Sequence, residues 1–159
     1  MPNVNFRELM EDTSETVQRP KSAPECWLIG VVGQSLCDTT KGESETPYID
    51  FDLAQLEAHP QNATEVLEQL AEVDLSKLRS PYTRPARLIA HFWLTPDAKY
   101  RLTDMLDRVV GGRNRSIRER VAEMQNQRVQ FKVRPERDEQ GNDTGQNSVL
   151  ADTLTLATV

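Results

Sequence analysis

At 159 residues, 37% hydrophobic and 28% charged, the chain has the length of one domain with decorations, and a core that does not run through every segment. Its net charge of −6 conceals a segregation: residues 1–75 balance at −11, residues 76–137 at +9 and residues 138–159 at −4. Cys26 and Cys37 lack the paired spacing of a disulfide framework or a zinc site, no apolar run approaches the ~18 residues of a membrane span, and the N-terminus has no basic region followed by an apolar stretch. The expectation is a cytoplasmic protein with reduced thiols, no signal peptide and no membrane contact.

Residues 1–25 are polar and acidic, and two prolines bracket an extended piece at Pro20–Pro24. They form a loosely attached N-terminal arm, with Phe6, Leu9 and Met10 suited to a short helical turn, and residues 26–159 form the domain. Residues 26–36 make the first strand, apolar on both parities at its start, where Gly30 and Gly33 mark a bend or bulge. The pattern of a phosphate-binding glycine loop does not follow. A polar loop over 38–46 leads to Pro47 and a second strand with Ile49, Phe51 and Leu53 inward and Tyr48, Asp50 and Asp52 outward. The two aspartates project together, but no third ligand is suitably spaced for a cation, so a solvated face is expected.

Asn62 and Glu65 resemble a capping box for a helix with Val66, Leu67, Leu70 and Val73 on one stripe. A basic loop with Lys77, Arg79, Tyr82 and Arg84 precedes the third strand, Arg87 to Leu94. There Leu88, Ala90, Phe92 and Leu94 share one side, and Arg87, Ile89, His91 and Trp93 the other. Thr95, Pro96 and Asp97 have the chemistry of a helix start, Ala98, Leu102, Met105, Leu106 and Val109 form its stripe, and Gly111–Gly112 end it. Ser116 and Glu119 open a short helix with Ile117, Val121 and Met124 inward and Arg118 and Arg120 outside the stripe.

Residues 128–134 alternate most clearly. Val129, Phe131 and Val133 point to the core, while Arg128, Gln130, Lys132 and Arg134 give a wet face that is three-quarters cationic. A long turn over Pro135 to Asn147 and a last strand over Ser148 to Ala157, apolar at Leu150, Leu154 and Leu156, complete the chain. A basic strand on an acidic protein implies either a surface for an anionic partner or two halves that neutralise each other on folding.

Three strands, a helix and a hairpin follow the chain order of a five-stranded OB barrel. The fold class expected is therefore mainly β with helices (α+β), an OB-like barrel with a capping helix between strands 3 and 4 and extra short helices. Across most of residues 20–157 the chain resembles the small phage-encoded single-stranded-DNA-binding proteins with an OB fold. The residues that carry the resemblance are Lys21-Ser22-Ala23-Pro24, Thr46-Pro47-Tyr48-Ile49-Asp50-Phe51, His91-Phe92-Trp93-Leu94-Thr95-Pro96-Asp97-Ala98, and Val129-Gln130-Phe131-Lys132-Val133 before a Gly-Asn-rich tip and Asn147. It implies a non-enzymatic, sequence-tolerant protein that protects or organises single-stranded DNA in phage-type replication or recombination, in a host cytoplasm. Its partners would be single-stranded DNA, further copies of itself, and replication or recombination proteins. Many such proteins end in an acidic tail that recruits partners. This chain ends Thr153-Leu154-Thr155-Leu156-Ala157-Thr158-Val159 with no acidic tip, so it departs from that pattern and recruitment by such a tail is not expected, the acidic N-terminal arm being a conjectural substitute.

Single strands are held by cations that follow the phosphates and by aromatic faces that stack on bases. The cationic candidates are Arg79, Arg84, Arg87, Arg128, Lys132 and Arg134, and the aromatic ones Tyr48, Tyr82 and Trp93. Arg113, Arg115, Arg118 and Arg120 would extend the phosphate track or form a solvated face. Phe51, Phe92 and Phe131 fall on inward parities and belong to the core, and Trp27 fits core or platform. No nucleophile–base pair, metal spacing or phosphate loop survives inspection, so no enzyme activity and no cofactor is expected. The alternative is a protein-interaction or assembly subunit whose basic surface docks an acidic partner.

Overall fold

The computed structural model describes residues 4–13, 21–81, 83 and 87–159. Tyr82 and Arg84 lie outside the described residues. A short helix α1 (Phe6–Leu9) precedes β1 (Cys26–Thr39), β2 (Pro47–Ala58), α2 (Thr64–Leu70), a 3-10 turn (Leu75–Lys77), β3 (Leu88–Trp93), α3 (Tyr100–Val109), α4 (Ile117–Met124), β4 (Arg128–Arg137) and β5 (Asp143–Leu156). The strands form one antiparallel sheet in the order β3-β2-β1-β4-β5, giving an α+β protein.

Period-two alternation sets what this sheet buries. Ile49, Phe51 and Leu53 of β2, Leu88, Ala90 and Phe92 of β3, and Val129, Phe131 and Val133 of β4 all lie in one core. Phe51 and Phe92 meet edge to face at 5.9 Å between centroids. Helix α3 packs against β5 and β3 and buries Leu102, Met105, Leu106 and Val109. Gly111, at φ +67°, lets the chain leave that helix. β1 bends where its pairing with β2 shifts register, around Gly30 and Gly33. Gly30 also has no room for a side chain: a Cβ there would sit 3.0 Å from Leu56 and 3.3 Å from the Phe131 ring.

The edge strands β3 and β5 come close to each other without sharing a ladder. The segment after the 3-10 turn bridges them. The N–H of Ser80 donates to the carbonyl of Arg87 at 2.8 Å, and the N–H of Asn147 donates to the carbonyl of Arg79 at 2.8 Å. Ile89 N–H donates to the Ser80 hydroxyl at 3.0 Å. The Asn147 side chain, fully buried, holds both backbone groups of Ala23: it accepts from the Ala23 N–H at 2.9 Å and donates to the Ala23 carbonyl at 2.9 Å. Ser22 N–H donates to Asp143, whose carboxylate also accepts from Gly145. Burial opposes the charge on Asp143, but these donors and Arg137 hold its pKa below the ordinary carboxylate value. The lead-in Lys21–Pro24, assigned to the loose arm on sequence, thus has a fully buried residue at its centre.

Several local expectations are corrected. Asn62 does not cap α2, whose N-cap is Ala63 without a side-chain bond. Its amide instead clasps the N–H and carbonyl of Trp27 at 2.9 and 2.8 Å. α3 begins at Tyr100, and Thr95 serves through its carbonyl, which accepts from Ala98 and Lys99 in the turn before it. Arg120 is not outside the α4 stripe. It is buried and paired with Asp107 at 2.7 Å, tying α4 to α3. The turn between β4 and β5 is confined to residues 138–142, so Asn147 lies within a strand. Leu156 is exposed, not apolar core.

Replacing Asn147 with Ala strands the N–H and carbonyl of Ala23 in the core, and should cost about 2–4 kcal/mol of stability in urea unfolding. A loss under about 0.5 kcal/mol would mean that this clasp is not needed to hold the lead-in segment. Burial pushes the Cys26 thiol up to about 11, while Cys37 is exposed. At about pH 8 a thiol reagent should therefore label Cys37 alone in the folded protein and both cysteines in denaturant.

Candidate nucleic-acid interface

The outer face of the β1–β2–β3 ribbon brings aromatic groups together. Antiparallel register places Asp38, Tyr48 and Trp93 in one row across the three strands, and Leu36, Asp50 and His91 in the next. Beyond its bend β1 pairs only with β2, since its ladder with β4 covers Cys26 to Val31. This end of the ribbon therefore stands clear of the rest of the sheet, and residues Gln34–Thr39 are exposed.

Tyr48, His91 and Trp93 form a cluster. Tyr48 and His91 lie 4.9 Å apart between centroids, His91 and Trp93 4.5 Å, and Tyr48 and Trp93 6.0 Å, the last two pairs edge to face. Trp93 keeps 40% of its surface in solvent. His91 Nδ1 lies 2.5 Å from the Asp50 carboxylate, and the cover it provides leaves Asp50 only 7% exposed on a face that alternation assigns to solvent. A carboxylate at this contact accepts, so Nδ1 carries the hydrogen. Burial, then the carboxylates of Asp38 and Asp50, push the Tyr48 phenol above its ordinary pKa, with Arg87 pulling the other way. Arg87 pairs with Asp52 at 3.3 Å one row further on.

The basic strand has a different fate. Arg128 is paired with Glu57 and donates to the Val159 carbonyl. Gln130 accepts from Thr158 and contacts His59 Nε2 at 3.2 Å, while Lys132 pairs with Glu25 at 3.4 Å. Only Arg134 on that face is exposed and makes no ion pair among the described residues. Arg79 likewise makes none, and its carbonyl is bonded to Asn147, next to the residue that faces Arg134 across the β4–β5 ladder. Around α3 and α4, Arg113 of the connecting loop and Arg120 share Asp107, and Arg115 of the same loop is held by Glu123.

Of the candidate residues, then, the fold brings Tyr48, Trp93 and Arg87 to one face, and sets Arg79 and Arg134 on either side of the start of β5. Arg128 and Lys132 lie on a third region, each tied to an acid. Sequence alternation puts His91 on the side of Trp93 without giving it a role in binding. Its place between Tyr48 and Trp93 follows from β2–β3 register, although its shared parity with Trp93 was a usable signal. Among the described residues no group of three or more His, Cys, Asp or Glu side chains is arranged to hold a metal ion, and no helix is long and apolar enough to cross a membrane. Compared with protein-family models, curated proteins and solved structures, the chain matches none of them.

Surface ion pairs exchange partners at little cost, about 0–1 kcal/mol each. Neutralising Glu57 and Glu25 (Glu57→Gln with Glu25→Gln) should therefore leave the midpoint of thermal unfolding nearly unchanged. A large fall would make these pairs structural anchors and take Arg128 and Lys132 out of consideration as ligand-binding groups.

Proposed function

We propose that the protein binds single-stranded nucleic acid, DNA in preference to RNA, without catalysing a reaction, as a small phage-type replication or recombination protein would. The observation that carries this reading is the Tyr48–His91–Trp93 cluster on the β2–β3 face, half-buried at Tyr48 and His91 and exposed at Trp93. The strand order supports it. With β1 central, β2–β3 on one side, β4–β5 on the other and the two edges bridged through Arg79 and Ser80, the open sheet has a strand order compatible with an OB barrel. In that fold the face of strands 2 and 3 is where oligonucleotides lie. Bases would stack on Trp93 and Tyr48, and Arg79 and Arg134 would meet phosphates.

A second reading is supported by the ion pairs. With Arg87, Arg128 and Lys132 each facing an acid, the segregated charges largely meet within one molecule. That suits a protein-interaction subunit with modest net charge on this side, docking an acidic partner or a second copy.

Titration with fluorescent oligonucleotides at low salt separates the two. The first reading expects binding with tryptophan quenching, and log K falling with log salt by ~0.7 per phosphate contact. Trp93→Ala should weaken binding by about 1–3 kcal/mol, the contribution of one stacked base. Absence of binding to any single strand at low salt would overturn it. Concentration-dependent self-association abolished by charge reversal at Arg128, Lys132 and Arg134 would then favour the second.

A further inference from the structure

We infer that the aromatic face selects bases bearing an exocyclic amine, taking cytosine over thymine, with Asp38 and His91 as the residues that set the preference. This rests on the single-strand-binding reading above and goes beyond it, since that reading alone expects no base preference.

The argument is a count of donors and acceptors around the stacking surface. Asp38, Tyr48 and Trp93 share a row, and Asp50 and His91 sit in the next. Asp38 is exposed, and one of its oxygens accepts from its neighbour's N–H at 2.7 Å, leaving the other open to solvent. Asp50 holds the hydrogen of His91 on Nδ1. With its hydrogen there, the ring in its neutral form presents Nε2 as a lone pair, and that atom has no hydrogen bond to a described residue. Against these acceptors stand the Tyr48 hydroxyl, which serves in either role, and the single indole N–H of Trp93. The nearest arginine, Arg87, is occupied by Asp52 a row further away. A base stacked on Trp93 or Tyr48 thus meets an edge dominated by acceptors.

Cytosine and thymine differ at the atom that such an edge reads. Cytosine offers an amino donor at position 4, and thymine offers a carbonyl acceptor there. The amine can be satisfied by the Asp38 carboxylate or by Nε2, whereas the thymine carbonyl meets those acceptors unfavourably, leaving thymine its N3–H as the one donor and the Tyr48 hydroxyl or Trp93 N–H as partners for its carbonyl. Stacking area is similar for the two pyrimidines, so stacking does not blur the comparison.

The test is a pair of titrations of the full chain, with oligodeoxycytidine and oligothymidine of equal length, at a pH well above the ordinary imidazole range. The dissociation-constant ratio cancels the shared phosphate backbone. The expected result is cytosine favoured by about fivefold, the low end of what one polar base contact contributes. Asp38→Asn, at an exposed position that leaves the fold intact, should bring the ratio towards one, because an amide offers both a donor and an acceptor. His91→Phe should do the same while keeping an aromatic face, and Asp38→Asn still decides the matter if loss of the Asp50 partner unfolds that variant. Equal affinity, or tighter binding of oligothymidine, would overturn the inference and leave single-strand binding standing. No binding to either oligonucleotide would overturn both.

Discussion

The structure depends on one side chain in a place where backbone alone cannot finish the job. Five strands curve until β3 and β5 approach, but no ladder joins them. Asn147 supplies the missing connections. Its backbone N–H reaches the Arg79 carbonyl, and its amide takes both polar groups of Ala23. An asparagine side chain has the donor–acceptor geometry of a peptide, so it substitutes for a strand where none runs. Asn62 does the same at Trp27. In both cases a buried or half-buried backbone that lacks a neighbouring strand would otherwise carry unsatisfied groups, a cost larger than the gain from a typical exposed hydrogen bond.

That clasp also divides the surface. At the Asn147 end, the β4–β5 hairpin and the bridging segment are pinned, and Arg79 and Arg134, without an ion pair among the described residues, lie there. At the other end, β1 has parted from β4, and the β1–β2 ribbon extends with β3 along one side. The aromatic cluster and its aspartates belong to this end. Between them, acids of β2 and of the residue just before β1 reach the cations of β4, as in Arg128–Glu57 and Lys132–Glu25. Charge that is segregated along the chain is mixed in space, because the acidic early strands and the basic later strand are neighbours in one sheet. The long-range field expected from the +9 segment is correspondingly reduced.

These contrasts show what local sequence could carry. Alternation was enough for the cores of β2, β3 and β4, and for placing Trp93 and His91 on one face, because side-chain parity is a property of each strand alone. Stripe and glycine signals located α3, although its first turn starts after the proline. Pairing was not legible. Whether Arg128 faces water or Glu57 depends on which residue of another strand is opposite, and that is fixed by register across a bend at Gly30. Asparagine misled in a consistent way: at residues 62 and 147 it read as a cap and as part of a turn, the local roles it usually fills, while here its partners lie 35 and 124 residues away. Arg120 misled for the same kind of reason, since a buried arginine is understood only from Asp107 on the facing helix.

A face that combines aromatic rings with carboxylates seems at odds with a polyanion, but the two parts of a nucleotide need different surroundings. Phosphates require cations, and Arg79 and Arg134, which make no ion pair among the described residues, flank β5 rather than the aromatic rows. Bases carry no net charge and present donors and acceptors at their edges, so acids beside a stacking surface repel the backbone while remaining able to hold an amine. On the proposed reading the arrangement would orient a single strand, with its sugar-phosphate chain kept away from Asp38 and Asp50 and its bases turned towards Trp93 and Tyr48. A uniformly cationic face would attract a strand more strongly and would leave the direction of the bases undetermined. On that reading the neutralisation of the basic strand would move the energetics of binding from charge, which salt weakens, to stacking and edge contacts, which it affects little.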